Sequence, residues 1–378
     1  MSWPMVKLGD VVSNCNFRRV PLKKSDRAEK KGDYRYYGAS GVIDYVDDFL
    51  FDGKYLLIGE DGANLLSRST PIAFHASGKF WVNNHAHVLE CNGKADLGFL
   101  AYYINSINLE PYVTGSAQPK LNRGNLDSIL IPLPPLEEQK RIAAILDKAD
   151  DVRRKRKQAI VLADEFLRSV FLDMFGDPTN NQKNFPIGTI RDFVETANYG
   201  SSGKASETEG EYPILRMGNI TYQGGWNFKS LKYIDLTEKD KPKYLAQKGD
   251  LLFNRTNSRE LVGKTAVFEE DKSMAIAGYL VRVRTNEKGN NYYISGYLNS
   301  AHGKKTLSNM CKSIVGMANI NAQELQNIKI ALPPIELQTK YELLVKTVRS
   351  RVKKFDLSAK STDELFNSLS KKAFSGQL

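Results

Sequence analysis

The chain has 378 residues, 41% of them hydrophobic and 26% charged, with 18 tyrosines and 17 phenylalanines. That excludes a disordered or fibrous protein and allows two to three domains with real cores. The formal net charge of +11 points to a polyanionic partner, whereas Cys15, Cys91 and Cys311, odd in number and scattered, supply neither a disulfide framework nor a zinc site.

No apolar run reaches the roughly 18 residues that cross a bilayer. The opening residues, Met1 to Lys7, lack the long apolar stretch of a signal peptide. A cytoplasmic location with no membrane contact is expected.

Residues 1–132 mix short apolar runs with turn residues. Tyr55 to Gly59, Phe80 to Val82 and Ser128 to Ile131 read as strands, and Gly98 to Ile107 as a helix. Residues 133–178 read as one long helix. It begins just past Pro134-Pro135, carries Glu137 and Glu138 at the positive end of its dipole, and stops at Phe175-Gly176-Asp177-Pro178. Residues 179–331 repeat the first character, with strands at Tyr212 to Leu215, Asp250 to Phe253 and Tyr279 to Val283. Residues 332–378 form a second long helix that begins past Pro333-Pro334 and ends at Gly376.

These segments come from a duplication. Leu126 to Asp177 aligns without a gap on Leu325 to Gly376, an offset of 199 positions (325 minus 126). Ile131 to Gln139 meets Ile330 to Gln338, and the start Trp3-Pro4-Met5 corresponds to Phe185-Pro186-Ile187. Such a spacing is far longer than a solenoid unit, so a duplicated domain pair is expected.

In the first helix Ile145, Ala149, Val152, Arg156, Ala159, Ala163, Phe166 and Val170 alternate by four and three, a coiled-coil seam. The matching positions in the second are Leu344, Val348, Arg351, Phe355, Ser358, Thr362, Leu365 and Leu369. The fold class expected is α+β. Two similar mixed α/β heads would be separated by two long antiparallel helices forming a coiled coil, with internal pseudo-twofold symmetry.

The run Pro132 to Asp147, with its continuation to Phe175-Gly176-Asp177-Pro178, resembles the specificity subunit of type I restriction–modification enzymes. Gly59-Glu60-Asp61-Gly62-Ala63-Asn64 and Gly115-Ser116-Ala117-Gln118-Pro119-Lys120-Leu121-Asn122 carry the same resemblance. The second half departs from it, with Asn254-Arg255-Thr256-Asn257-Ser258 and Gly316-Met317-Ala318-Asn319-Ile320-Asn321 at those places. The resemblance implies two target-recognition domains, each reading half of an asymmetric, bipartite site in double-stranded DNA. The helices would set the spacer and dock two modification subunits carrying S-adenosylmethionine. Restriction subunits, a translocase-nuclease using ATP and Mg, would join them. No cofactor is expected in this chain.

No catalytic motif is evident. The Pro-Pro pairs follow leucines and open helices, and Gly263-Lys264-Thr265 has Ser258 where a phosphate loop needs its first glycine. His85 and His87 have no clustered acidic or cysteine ligands, and Glu60-Asp61 fits a tight glycine-flanked loop. A non-catalytic reader is therefore expected; the alternative is a stand-alone DNA-modifying or DNA-cleaving enzyme with a divergent site.

Base edges are read by Arg, Lys, Asn, Gln, Ser and Thr on exposed loops. The candidates in the first head are Tyr34, Arg35, Tyr36, Asn64, Arg68, Gln118, Lys120, Asn122 and Arg123. In the second they are Arg216, Asn219, Gln223, Asn254, Arg255, Asn257, Arg259 and Lys264. Arg255 and Arg259 stand out because both follow a strand directly. The run Arg153 to Lys157 reads equally as a phosphate contact or as a solvated or docking face.

Overall fold

The computed structural model describes residues 3–115, 117–314 and 317–378, side chains at 312–314, 317 and 356–363 excepted. Ser116, Gly316 and the seam positions Ser358 and Thr362 lie outside the described residues. Two compact units emerge, Met1–Arg156 with Asp356–Leu378, and Lys157–Phe355. Each long helix therefore contributes a part to both.

The first unit contains β1 (Met5–Lys7), β2 (Val12–Asn14), α1 (Lys24–Glu29), β3 (Tyr34–Gly38), β4 (Gly41–Val46) and β5 (Phe51–Gly59). Next come α2 (Asn64–Ser67), β6 (Ala73–Val82), β7 (Ala86–Cys91), α3 (Leu97–Ser106), α4 (Arg123–Ser128), β8 (Leu130–Pro132) and the start of α5 (Leu136–Phe175). Six strands form one sheet in the order β2-β7-β5-β6-β3-β4, antiparallel except for β3 beside β6. One core lies within it around Tyr37, Phe51 and Phe80. Another gathers Phe99, Leu100, Ile131, Ile142, Leu146 and Ala373, which sews the head to the beginning of α5 and the end of the C-terminal helix.

The second unit carries the rest of α5, then β9 (Ile187–Thr189), β10 (Val194–Tyr199), β11 (Tyr212–Leu215), β12 (Lys232–Ile234), α6 (Lys241–Tyr244) and β13 (Leu245–Ala246). These precede β14 (Leu251–Asn254), β15 (Thr256–Asn257), β16 (Thr265–Val267), β17 (Met274–Ile276), β18 (Leu280–Thr285), α7 (Asn291–Asn299) and α8 (Ala301–Met310). The unit closes with β19 (Lys312–Ile314), β20 (Met317–Asn319), α9 (Ala322–Gln326), β21 (Lys329–Ala331) and the first part of α10 (Ile335–Phe374).

Here the six-stranded sheet is split in two, β10-β18-β14-β16 and β12-β11-β17-β13. The long β5 corresponds to β13 plus β14, and β6 to β16 plus β17. In the first head β5 and β6 run on in register through Gly53 facing Gly78, both at positive φ. In the second, Gly249 (φ +98) separates the matching segments outright. The same strand pair is continuous in one copy and broken in the other.

Anchoring of each head to its helix is repeated almost atom for atom. Gln139 and Gln338 are both fully buried. Gln139 Nε2 donates to the carbonyls of Pro134 and Lys94 while its Oε1 accepts from Asp96 N. Gln338 does the same with Pro333, Lys288 and Asn290 N. Asp96 and Asn290 in turn cap the first helical turns of α3 and α7. The N-terminal strands match as well, β1 pairing β8 and β9 pairing β21.

The helix limits agree with the sequence reading, but the seam is rotated. Val152 (45% exposed), Phe166 (52%), Leu344 (40%), Phe355 (46%) and Leu365 (57%) face outward. Ile145 and Ala159 are only half-buried. The buried stripe instead runs Ile142, Leu146, Leu167, Phe171 and Phe175 in α5, and Tyr341, Val345 and Ala373 in α10. Ala149, Val170, Val348 and Leu369 are half-buried and belong to both stripes. The shift is one residue at alternate positions, and among the described residues it recurs in both copies, Leu146 replacing Ile145 and Val345 replacing Leu344. A helix packing on a head and on another helix buries a wider face than a lone zipper does. At the place expected for Val152, the guanidinium of Arg153 lies over the Phe366 ring, 4.6 Å from its centre. Arg153 and Arg154 are paired with Asp150 and Asp151 on their own helix, so the basic run is partly neutralised.

Candidate nucleic-acid interface

In the first head the loop after β5 and the loop at 115–122 are laced together. Gly62 N donates to Pro119 O, and Leu121 N to Glu60 O. The Glu60 carboxylate meets Arg19 at 2.7 Å and Lys120 at 3.4 Å. Burial pushes this carboxyl up, but the hydrogen bond from Arg19 and the neighbouring positive charge bring it below its ordinary value. His87 is buried, with Nδ1 accepting from Asn16 Nδ2 and Nε2 donating to Leu121 O. Burial lowers its pKa, so it is a neutral structural imidazole. His85, by contrast, is half-exposed and lies 2.7 Å from Asp61. Lys120, Gln118 and His85 thus form a polar rim around a neutralised glutamate. Among the described residues no group of three or more His, Cys, Asp or Glu side chains could hold a metal ion.

The corresponding loop of the second head uses different chemistry. Arg255 stands where Glu60 stands, since Ile320 N donates to Arg255 O as Leu121 N does to Glu60 O. Its guanidinium stacks over the Tyr199 ring at 4.8 Å, and its Nε is buried with no hydrogen-bond partner. Asn257 is half-buried and Arg259 is exposed on the same loop.

A second loop, at 216–226, is clamped by cations that donate to its carbonyls. Lys264 Nζ reaches Met217 O at 2.8 Å, Lys304 Nζ reaches Tyr222 O at 2.8 Å, and Arg349 reaches Gly224 O at 3.0 Å. Lys304 also sits 3.9 Å from the Tyr222 ring centre. Burial, with repulsion from Arg168 and Lys264, lowers the Lys304 ammonium to about 8. Gln223 projects from the tip of this loop, at the rim of a pocket of about 260 Å³ that Arg168, His302 and Arg349 also line.

The comparisons with known proteins agree with this architecture. A family model described as the type I restriction modification DNA specificity domain matches residues 2–161 and 182–352. The chain belongs to that family. A Haemophilus influenzae protein named as a type I restriction enzyme specificity subunit is 27% identical over 348 residues, 89% of this chain and 84% of that protein. The EcoKI specificity subunit of Escherichia coli is 25% identical over 74% of this chain and 65% of its own length. Among solved structures, the type I S subunit from M. genitalium aligns with TM-score 0.69 at 15% identity, over 99% of this chain and 96% of that one. A chain from a type I restriction–modification structure concerned with complex assembly and conformational transition aligns with TM-score 0.51 at 17% identity, over 100% and 98%. Both share the fold.

Within this specificity-domain chain, the structure sorts the candidates. Gln118, Lys120, Arg35 and Arg123 are exposed in the first head, as are Gln223 and Arg259 in the second. Tyr34 is half-buried beside Phe49. Several others are occupied in holding the chain. Tyr36 is 1% exposed and accepts from Leu22 N. Asn64 closes a turn on Thr70, and Arg68 caps the end of α3 by donating to the carbonyls of Asn105 and Ile107. Asn122 is the N-cap of α4, matched by Asn321 at α9.

In the second head, Asn219 is buried between Arg216 N and Asn227 O, and Arg216 itself donates to Ser230 O. Lys264 is buried as described, and Asn254 is fully buried with neither amide atom bonded. Short polar side chains satisfy nearby backbone as readily as they meet a ligand. The residues that hold these loops and that sequence reading missed are Tyr199, Lys304, Arg349 and Arg19. The first three act across more than fifty positions, so no local signal marks them; Arg19 reaches Glu60 across 41.

Proposed function

We propose that this chain is the DNA-reading subunit of a type I restriction–modification complex. Each unit reads one half of a bipartite, asymmetric site in double-stranded DNA, and the paired helices set the spacer. The observation that carries this reading is one head-on-helix module, built twice with the same anchoring glutamines, presenting two differently charged rims. A scaffold held constant with variable loops fits a reader of two unrelated half-sites. The exposed Arg35, Gln118, Lys120, Arg123, Gln223 and Arg259, together with Arg255 and Asn257, are the contacts assigned to DNA.

Two modification subunits would dock along the helices and supply S-adenosylmethionine and the methylation chemistry; restriction subunits would supply ATP- and Mg-dependent motor and nuclease activity. The chain itself would bind no cofactor, perform no catalysis, and act in the cytoplasm. Among the described residues no helix is long and apolar enough to cross a membrane.

The test is reconstitution. The purified chain, incubated with DNA, divalent metal and S-adenosylmethionine, is expected to be inert. Adding its modification subunit should yield adenine methylation at one bipartite sequence. Turnover by the chain alone would favour the stand-alone enzyme instead.

A further inference from the structure

Arg255, on the loop after β14, has a ring contact but no polar side-chain partner among the described residues. Its guanidinium carbon lies over the Tyr199 ring, 4.8 Å from the ring centre, a contact that restrains the side chain. Tyr199 is fixed in turn, because its hydroxyl accepts from Ala322 N at 3.0 Å. Among the described residues no carboxylate lies within ion-pair distance of Arg255, and its Nε is buried without a partner. The pseudo-equivalent residue in the first head, Glu60, is fully engaged with Arg19 and Lys120.

A half-buried guanidinium with unspent donors is costly unless a ligand completes it. Its planar fork matches two acceptors side by side, and stacking removes the freedom that a phosphate-contacting side chain ordinarily keeps. In the major groove only guanine offers two adjacent acceptors, O6 and N7, to such a fork. We propose that Arg255, held by Tyr199, reads a guanine in the half-site of the second head. This rests on the DNA-reading function proposed above and adds the identity of one base.

The experiment uses the chain with its modification subunit and the methylated sequence mapped beforehand. Wild-type complex is bound to duplexes carrying 7-deazaguanine at each guanine in turn, and the Arg255→Lys and Tyr199→Leu variants are then mapped and titrated. One guanine in one half-site should lose roughly 10–100-fold in affinity when its N7 is removed. Arg255→Lys, which keeps the charge but loses the planar fork, should reduce discrimination at that same position while the other half-site keeps its sequence, and Tyr199→Leu should weaken it partially.

A bipartite site with no deaza-sensitive guanine in either half overturns the proposal and leaves the proposed function standing. Arg255→Lys weakening all sequences equally would make the residue a phosphate contact; no change would make it a structural stack; either overturns the proposal. Sequence-independent methylation by the wild-type complex would sink both readings. The deaza series needs no variant, so a misfolded substitution cannot mask the answer.

Discussion

The two head–helix contacts carry a reciprocal exchange of large and small residues that can be tested by repacking. Taking the capping residues Asp96 and Asn290 as equivalent, Tyr102 of the first head corresponds to Gly296 of the second. On the helices, Ser370 corresponds to Phe171 through the 199-residue offset. The first unit thus places the large residue on the head, and the second places it on the helix. A Cβ added at Gly296 would lie 2.6 Å from Phe171 Cδ2 and 2.9 Å from Tyr341 Oη. Phe171 is 2% exposed and sits among Tyr293, Phe175 and Tyr341, so it cannot swing away freely.

Gly296→Phe alone should cost at least about 1–3 kcal/mol through overpacking, and Phe171→Ala alone about 3–5 kcal/mol through the cavity left. Phenylalanine is chosen over tyrosine because the Tyr102 hydroxyl donates to Asp147, whose counterpart is Lys346. For a unit of this size each kcal/mol moves Tm by roughly 2–4 °C. Calorimetry on the four proteins of the cycle gives the coupling. The double variant should be less destabilised than the sum of the singles by about 0.5–3 kcal/mol. Additive or worse-than-additive losses would refute the equivalence of the two contacts.

Other outcomes follow from the same contacts. Gln139→Leu leaves Asp96 N and two carbonyls unpaired, and should destabilise the first unit by about 1–3 kcal/mol. Hydrogen exchange would detect it as faster exchange at Asp96 and the first turns of α5, while the second unit stays protected. Arg68→Ala should lower stability by a similar amount, about 1.5–3 kcal/mol, yet leave DNA affinity of the folded complex unchanged in a binding titration, because Arg68 is spent on α3. Lys304 has its pKa lowered from 10.5 to about 8, chiefly by burial. Between those values the unfolded chain binds the extra proton, so this residue should make stability rise with pH from about 8 to 10.5 and contribute no slope below. Comparing wild type with Lys304→Met in unfolding experiments across that window isolates the effect; parallel curves would count against it.

The scaffold was legible because its signals are local and occur twice. The Pro-Pro pairs, the acidic first turn and Phe175-Gly176 place α5 at Leu136–Phe175, and the offset carries the same limits to α10. The phase of the seam was not legible. Ile145 and Leu146 are adjacent and both apolar, and the choice between them is made by the head core at Phe99, Leu100 and Ile131. The sheet topology was also hidden, since the unbroken strand through Gly53 and the break at Gly249 look alike in sequence. Among the proposed DNA contacts, residue type and loop position singled out Arg255 and Gln118. They could not separate these from Asn122 or Arg68, whose partners are backbone groups on α4 and α3. That distinction lies in long-range hydrogen bonding.

The most direct test of two heads reading through a helical spacer is to lengthen the helices. One heptad inserted after Arg156 and one after Phe355, where the two units meet in sequence, adds roughly 10.5 Å of helix at 1.5 Å per residue. That corresponds to about three base pairs at roughly 3.4 Å each. Methylation mapping of the reconstituted complex should return the same two half-sites with a spacer longer by that amount. An unchanged spacer, or altered half-sites, would contradict the account.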